Sequence, residues 1–167
     1  MKKITVGDWR KDIAGPMQVV SGSMGKEKVH FQAPLAIDLE NEMDRFISWF
    51  NNEGELEPVL KSGIAHIWFI TIHPFDDGNG RIARAIADMT NQRFYSMSAQ
   101  IEHKKKFYYD ILKETQKGSM DITSWLLWYL KCLAEALEVT DETLDKVLAK
   151  AKFWENHRTT IFNERQK

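Results

Sequence analysis

The stretch HPFDDGNGRIAR, residues 73–84, decides how this chain folds and where its chemistry lies. It follows directly on an apolar run and combines a histidine, two aspartates, an asparagine and two arginines. A purely structural turn has no need of so many polar side chains, because burying them is unfavourable unless they are paired. The stretch therefore indicates a functional site that is delivered by the end of a buried element.

The centre of this stretch has the properties of an anion-binding turn. Residues 78–80 read Gly-Asn-Gly, and these residue types tolerate the positive φ angles of a sharp turn. Residues 81–91 contain no glycine or proline, so we predict that a helix opens here with its N-terminal N–H groups facing the anion. Arg81 and Arg84 lie three residues apart, on neighbouring faces of the first turn. Together these features suit a polyphosphate.

A second kind of phosphate loop is excluded. The common nucleotide-binding loop ends in glycine, lysine and serine or threonine. This chain has no lysine between Lys61 and Lys104, so that loop cannot be formed here.

On these residues the chain resembles the Fic family. All eight fixed positions of the family signature are matched, by His73, Phe75, Asp77, Gly78, Asn79, Gly80, Arg81 and Arg84. Members of the family typically transfer AMP from ATP to a hydroxyl side chain of a target protein. The resemblance implies an all-α fold, a helical bundle with a short β-hairpin flap over the active site, with ATP as substrate and Mg²⁺ as the metal.

The resemblance implies two chemical roles within the stretch. His73 would be the general base that takes the proton from a threonine, serine or tyrosine of the target, and histidine suits this because its ordinary pKa lies near neutrality. Asp77 would hold Mg²⁺, which takes few protein carboxylates and completes its shell with water and phosphate oxygens. The signature leaves the position of Asp76 free, so we assign Asp76 to solvent or to a local turn hydrogen bond.

The remaining signature residues would bind the nucleotide. Gly78, Asn79 and Gly80 would bind phosphate oxygens, and Arg81 and Arg84 would neutralise the charge that develops on the leaving pyrophosphate. An arginine fork can hold two phosphate oxygens at once. Phe75 is expected to pack beneath the loop and fix its shape.

Farther along the chain, Tyr108 and Tyr109 occupy a place where relatives often have a tyrosine pair near the adenine. Gln116 would fill the polar position two helical turns later, where asparagine is frequent. Aromatic residues at this spacing are also typical of a core, so both interpretations stay open.

A hairpin is predicted at about residues 15–34. Met17–Val20 and Lys28–Phe31 have strand character and are separated by a turn-rich segment, although an exposed loop is the alternative. In Fic proteins such a flap pairs its edge with an extended segment of the target protein. Main-chain pairing of this kind gives affinity with little side-chain specificity. The target protein, docked on the flap, is therefore the expected partner.

Core helices are predicted at about residues 35–137. Their apolar positions recur at helical spacing. The first helix should bury Leu35, Leu39, Met43, Phe46 and Trp49 and end near Asn51–Gly54. A central buried helix should run from Pro58 to Ile72 and contain His66 as a packed residue. After the motif helix, another should run from Ser98 to about Gly118, and the next should start at Asp121 or Thr123.

A separate C-terminal helix is predicted at about residues 141–165. Thr160 and Glu164 echo a motif with which many relatives block ATP through the second signature arginine, but Arg165 stands where glycine or asparagine belongs. We treat this echo as coincidence. An inhibitory segment or partner is expected outside this chain.

Composition is consistent with one domain over residues 1–167. The 23 basic and 24 acidic side chains nearly cancel, so neither nucleic acid nor a membrane is the expected partner. Cys132 is the only cysteine, which excludes an internal disulfide and makes it a candidate core residue. No signal peptide or long apolar segment is apparent, so a soluble, cytoplasmic protein is expected.

Alternatives to AMP transfer share the same loop. Gly80 argues against the kinase-like branch, which usually has lysine at that position. Transfer from another donor, such as phosphocholine or uridylyl transfer, and removal of AMP remain open. A non-catalytic nucleotide-binding module is the third class, against which the intact His73 and Asp77 argue.

Overall fold

The structure is a computed structural model that describes residues 4–13, 15–21, 25–26, 28–52, 54–88, 96–160 and 163. Within these residues a two-stranded hairpin is followed by a 3₁₀ turn and six α-helices, so the predicted all-α fold with one short hairpin is confirmed. The elements are β1 Gln18–Ser21, β2 Lys28–Gln32, the 3₁₀ turn Ala36–Asp38, α1 Leu39–Asn51, α2 Pro58–Ile72, α3 Asn79–Ala87, α4 Met97–His103, α5 Lys105–Lys117 and α6 Thr123–Asn156.

The central helix α2 begins and ends where the sequence predicts. Pro58 occupies its first turn, where the missing N–H is not needed, and the Glu57 side chain accepts a hydrogen bond from the N–H of Val59 at 3.1 Å. The helix packs against α1, α3 and α6. Gly63 permits the approach of α6, because a Cβ there would lie 3.0 Å from the Tyr129 ring. Burial on nearly every face fixes α2 as the axis of the core.

The first helix differs from its prediction at its start. Leu39, Met43 and Phe46 are buried as expected, and α1 ends at Asn51. Leu35 is 52% exposed, because it precedes the 3₁₀ turn and so falls out of the helical spacing of the stripe. The prediction that Leu35 belongs to the core was wrong.

The segment before Gly118 forms two helices instead of one. Ser96, not Ser98, is the N-cap: its hydroxyl accepts a hydrogen bond from the N–H of Ala99 at 3.1 Å. The helical path is interrupted at Lys104, whose φ and ψ are −102° and 22°. The helix that follows, α5, ends at Lys117, next to Gly118, as predicted.

The longest helix, α6, also corrects a prediction. It starts at Thr123, one of the two predicted starts, but it continues to Asn156 without the expected break between about 137 and 141. Glu-Val-Thr at 138–140 contains no glycine or proline that would end a helix. Its first half buries Trp125, Tyr129 and Cys132, so the core assignment of Cys132 is confirmed. Glu164 and Arg165, like residues 89–91 of the predicted motif helix, lie outside the described residues.

The hairpin confirms both predicted strands, although β1 is shifted by one residue and β2 ends one residue later than predicted. The strands are antiparallel, with Val19 opposite Phe31 and Val20 opposite Val29. His30 is therefore the extra residue of a bulge in β2. Bulges commonly redirect side chains beside active sites. None of the helices within the described residues has both the length and the apolar character needed to cross a membrane.

Candidate active site

His73 ends α2 in an unusual backbone conformation. Its φ and ψ of 53° and 55° place it in the left-handed region, which is unfavourable by about 1–2 kcal/mol for a residue with a Cβ. Its N–H still donates to the carbonyl of Phe69 at 3.0 Å. Its own carbonyl accepts from Nε of Arg10 at 2.8 Å. The chain therefore leaves the helix sharply at the residue that the sequence predicts as the base.

The imidazole of His73 is arranged to accept a proton. Its Nδ1 lies 3.3 Å from the carbonyl oxygen of Ile70. Because a carbonyl can only accept, Nδ1 carries the hydrogen and Nε2 keeps its lone pair. Burial lowers the pKa of His73 below its ordinary value, the Ile70 hydrogen bond opposes this, and the charge of Arg10 lowers the pKa further. The ring is consequently neutral, and able to act as a base, near neutral pH.

The loop after His73 turns at a single glycine. Gly78 has a φ of 92° and caps α3, which begins at Asn79. The sequence suggested that residues 78–80 turn together, but Asn79 and Gly80 are already helical. A nine-residue helix thus presents its N-terminal N–H groups to this loop.

The side chain of Asn79 has a structural task that the sequence did not reveal. It is buried, its Oδ1 accepts from the N–H of Phe75 at 3.0 Å, and its Nδ2 donates to the carbonyl of Phe75 at 2.7 Å. This pair of bonds closes the loop on itself. The predicted phosphate contact of Asn79 is therefore left to its backbone.

Asp77 and Arg81 form an exposed pair at the rim of the loop. Arg81 Nη2 donates to Asp77 Oδ2 at 2.9 Å, and Asp77 Oδ1 accepts from the N–H of Gly78 at 2.7 Å. Within the described residues no group of three or more acidic, histidine or cysteine side chains could form a metal cage. A single exposed carboxylate nevertheless fits Mg²⁺ that arrives with phosphate oxygens and water.

A cavity of about 600 Å³ opens in front of His73. This is within the range of small-molecule sites, about 300–1,000 Å³. Its walls come from the flap, the end of α2, the start of α3 and one face of α5. The lining residues are Val19, Val20, His30, Phe31, Ile70, His73, Gly80, Arg84, Lys106, Tyr108, Tyr109, Asp110, Leu112, Lys113 and Gln116.

From α3, Gly80 and Arg84 line the cavity. A Cβ on Gly80 would stand 3.5 Å from Nη1 of Arg84, so the bare glycine leaves room between the helix start and the guanidinium. Asp77, Gly78, Asn79 and Arg81 lie outside the set of lining residues, although they belong to the same loop and helix start.

The two tyrosines differ in what they offer to a ligand. Tyr108 is 2% exposed, and its hydroxyl is hydrogen-bonded to Nε2 of His66 at 3.0 Å. Tyr109 is 50% exposed beside the same cavity. Gln116 is held by Thr71, whose Oγ1 accepts from its Nε2 at 3.1 Å. Of the pair, Tyr109 is the one with an accessible ring, while Tyr108 links the cavity wall to the core.

His66 is fully buried, as its interpretation as a packed histidine requires. The rings of Tyr108, Trp125 and Tyr129 surround it. Burial, assisted by the charge of Arg84, lowers its pKa to about 3. It therefore stays neutral at any working pH of the protein.

The N-terminal segment contacts the loop in a way that local sequence patterns did not indicate. The N–H of Thr5 donates to Oδ2 of Asp76 at 2.9 Å, so Asp76 binds a distant part of the chain. The ring of Trp9 lies 5.2 Å from that of Phe75, which also approaches Phe69. The packing role of Phe75 is thus confirmed, and the long-range partner of Asp76 was not predicted.

The fold and this loop together define a Fic domain. The sequence profile of the family described as Fic/DOC matches residues 1–90, more than half of the chain, and the chain belongs to that family. The proteins it resembles include one named protein adenylyltransferase Fic from Culex quinquefasciatus, 33% identical over 106 residues. A probable protein adenylyltransferase from Aquifex aeolicus is 29% identical over 96 residues.

These relatives are longer than the chain. The alignments cover 61% and 58% of this chain, but 21% of the Culex protein and 30% of the Aquifex protein. The matched region is therefore a minor part of each relative.

Solved structures show the same fold. A Fic family protein from Desulfovibrio desulfuricans G20 superimposes with a TM-score of 0.63 at 27% identity, over 72% of this chain and 38% of that one. A Fic domain containing signaling protein from Bacteroides thetaiotaomicron gives a TM-score of 0.62 at 24% identity, over 84% of this chain and 56% of that one. The predicted Fic-type helical bundle with a hairpin is confirmed.

Proposed function

We propose that this chain is a protein adenylyltransferase domain, which transfers AMP from ATP to a serine, threonine or tyrosine hydroxyl of a target protein. One observation carries the proposal: His73 lines the cavity with Nδ1 engaged by Ile70 and Nε2 left as an acceptor, directly before the helix start that suits a polyphosphate. The adenylyltransferase names of the relatives support the choice of donor.

The transfer needs one proton acceptor and one leaving group. The target hydroxyl attacks the α-phosphorus of ATP, a new O–P bond forms, and the bond to the β-phosphate oxygen breaks to release pyrophosphate. Nε2 of His73 takes the hydroxyl proton. General-base help of this kind contributes typically about 10²–10⁴-fold.

The polyphosphate would lie at the start of α3. Backbone N–H groups of residues 78–80 and the helix dipole favour negative charge there, and Arg84 borders the cavity from the same turn. The Asp77–Arg81 pair is exposed, and such pairs contribute about 0–1 kcal/mol. Exchanging it for two better contacts is therefore easy: Arg81 turns to phosphate, and Asp77 turns to the cation.

Mg²⁺ held by Asp77 would screen the charge of the phosphates. The adenine would lie toward α5, against the exposed ring of Tyr109 and within reach of the amide of Gln116. Stacking on an aromatic ring suits a purine, and the amide supplies a polar contact to its edge.

The target protein would dock on the flap. The two-stranded sheet leaves strand edges unpaired by any described element, and its residues Val19, Val20 and Phe31 line the cavity. An extended segment of the target could add to such an edge through main-chain hydrogen bonds. The hydroxyl would then be held before His73.

Transfer of label from ATP tests the proposal. The chain is incubated with Mg²⁺ and ATP labelled in the α-phosphate, first alone and then with cell lysate, in parallel with His73→Ala, Asp77→Ala and the control His157→Ala. His157 lies at the exposed end of α6, so its loss should leave transfer intact. We expect label on protein only when His73 and Asp77 are present.

The same assay separates the alternatives. Protein labelling from UTP or from CDP-choline instead of ATP would assign another donor. Loss of label from a pre-adenylylated target would assign AMP removal. ATP binding without transfer in every arm would leave a nucleotide-binding module and would refute the proposal.

A further inference from the structure

Arg10 is the most buried charged side chain among the described residues. It is 2% exposed, and its charge is compensated by Asp12, with Nη1 of Arg10 2.6 Å from Oδ1 of Asp12. A buried guanidinium is unfavourable unless its donors and its charge are satisfied. Here the charge is satisfied by Asp12, and the other donors bond backbone carbonyls of His73, Pro74 and Pro34.

The contacts of Arg10 join three segments. Its Nε donates to the carbonyl of His73 at 2.8 Å, and its backbone N–H donates to the carbonyl of Pro74 at 2.9 Å. Its Nη2 donates to the carbonyl of Pro34 at 2.5 Å, just after the hairpin. One side chain thus ties the backbone of the base to the end of the flap.

Asp12 extends this connection. Oδ1 of Asp12 accepts a hydrogen bond from Nη1 of Arg10. Oδ2 accepts one from the N–H of Ala36 at 2.7 Å, at the start of the 3₁₀ turn. The hairpin that precedes is closed by the N–H of Ala33, which donates to the carbonyl of Met17 at 3.0 Å. The exit of the flap is therefore anchored from both sides.

We propose that Arg10, oriented by Asp12, is a positioning residue for the transfer, which fixes the distance between the flap and the imidazole of His73. The proposal rests on the proposed function, because the flap would carry the target hydroxyl and His73 would take its proton. The left-handed backbone of His73 strengthens the case. A conformation that is unfavourable by itself needs surrounding contacts to persist, and Arg10 bonds the carbonyl of that same residue.

The size of the effect follows from the geometry of group transfer. Reacting atoms must approach to about 3–3.5 Å in line, and a misplacement of about 1 Å can reduce the rate by about 10²-fold. Loosening Arg10 would let the flap and His73 move independently. ATP would bind to α3 and α5. Pro34 and Pro74, whose carbonyls bond Arg10, do not line the cavity, so ATP would not contact them.

The test compares Arg10→Lys, Arg10→Gln and Asp12→Asn with the control Arg45→Gln. Lysine keeps the charge, but its three donor hydrogens lie on one nitrogen and cannot replace the three separate nitrogens with which Arg10 bonds Asp12, His73 and Pro34. Arg45 pairs with Glu42 on the exposed surface of α1. We expect kcat for AMP transfer to fall about 10–100-fold in Arg10→Lys, while KM for ATP changes less than about threefold. Arg45→Gln should match the wild type.

A second measurement is independent of activity. In protein labelled with nitrogen isotope at histidine, the ring signals of His73, assigned with His73→Gln, report the tautomer and its Ile70 hydrogen bond. We expect these signals to shift in Arg10→Lys and in Asp12→Asn but not in Arg45→Gln. If Arg10→Gln does not fold, the lysine and Asp12 variants still provide both measurements.

The outcomes separate the two claims. A wild-type chain without transfer activity would refute the proposed function, and the His73 signals would still decide whether Arg10 orders the site. Unchanged His73 signals in folded Arg10→Lys and Asp12→Asn would overturn the positioning role. So would a kcat within about twofold of wild type in Arg10→Lys, because a side chain that only stabilises the fold changes melting and not turnover.

Discussion

His66, within α2, and His73, at the C-terminal end of α2, lie in contrasting regions of the molecule. His66 sits in the middle of the helix within an aromatic cluster of Tyr108, Trp125 and Tyr129, fully buried, with its Nε2 bound to the Tyr108 hydroxyl. His73 lies two helical turns farther on, half-buried at the cavity, with its Nδ1 bound to Ile70. One residue type thus appears in a packed core and in a reactive site.

Burial and the choice of bonded nitrogen decide what each of these histidines can do. Burial lowers the pKa of both rings, but that of His66 falls to about 3 and its Nε2 is already engaged. His73 lines the cavity and keeps Nε2 as an acceptor. The core histidine should therefore govern stability, and the cavity histidine should govern turnover.

Replacing His73 should have the largest effect on activity. His73→Gln should lower kcat for AMP transfer by about 10²–10⁴-fold, because glutamine cannot take a proton. The unfolding midpoint in urea should stay near that of the wild type, since the ring is half-buried and makes one long hydrogen bond. A loss of activity below about tenfold would show that His73 is not the base.

Replacing Arg84 should have the second largest effect on activity. Arg84→Ala removes a cation from the first turns of α3 beside the cavity, and loss of one such stabilising group reduces kcat by about 10²–10³-fold. ATP binding measured by calorimetry should weaken as well. Arg158→Ala, at the exposed end of α6, is the matched control and should leave both quantities unchanged.

His66 should make the fold sensitive to acid. Its pKa is about 3 when folded and 6.5 when unfolded, so the unfolded chain binds more protons between these values. The contribution of neutral His66 to the free energy of unfolding is complete above pH 6.5. It is lost as pH falls toward 3, by about 1.4 kcal/mol per pH unit.

A variant that cannot be protonated isolates this effect. His66→Gln keeps a donor for Tyr108, and its free energy of unfolding should fall less on acidification than that of the wild type, by about 2 kcal/mol between pH 7 and pH 5. Parallel curves for the two proteins in urea titrations would contradict the assignment of His66 as a buried neutral ring.

The pH dependence of turnover should show the smallest effect. The transfer requires neutral His73, so kcat/KM should fall as pH drops through the pKa of that residue. Since burial holds this pKa below its ordinary value of 6.5, the midpoint of the acid limb should lie below pH 6.5. A midpoint at or above 6.5 would place the titrating group elsewhere.

The sequence could predict those features of the fold and the site that depend on local patterns. The start of α2 at Pro58 and the presence of the hairpin follow from local rules, so their prediction succeeded, whereas the turn predicted over residues 78–80 is confined to Gly78. The break expected in α6 does not occur. The buried face of this helix ends in its first half, but the end of a buried face does not end the helix itself. The prediction chose Ser98 as the N-cap of α4 instead of Ser96, because two serines so close together give the same local signal.

Long-range contacts could not be predicted. Arg10 looks like an ordinary surface charge in a polar N-terminal segment, yet it bonds His73, 63 positions away. Asp76 likewise bonds Thr5, 71 positions away. No periodicity or motif encodes these pairs, because they arise only when the N-terminal segment packs against the loop.

The decisive experiment for AMP transfer through His73 compares ATP labelled in the α-phosphate with ATP labelled in the γ-phosphate, using the wild-type chain, His73→Gln and Mg²⁺. We expect protein to acquire the α label and not the γ label, and His73→Gln to reduce the rate of labelling by about 10²–10⁴-fold. Protein labelled from the γ-phosphate, or equal α labelling by His73→Gln, would contradict it.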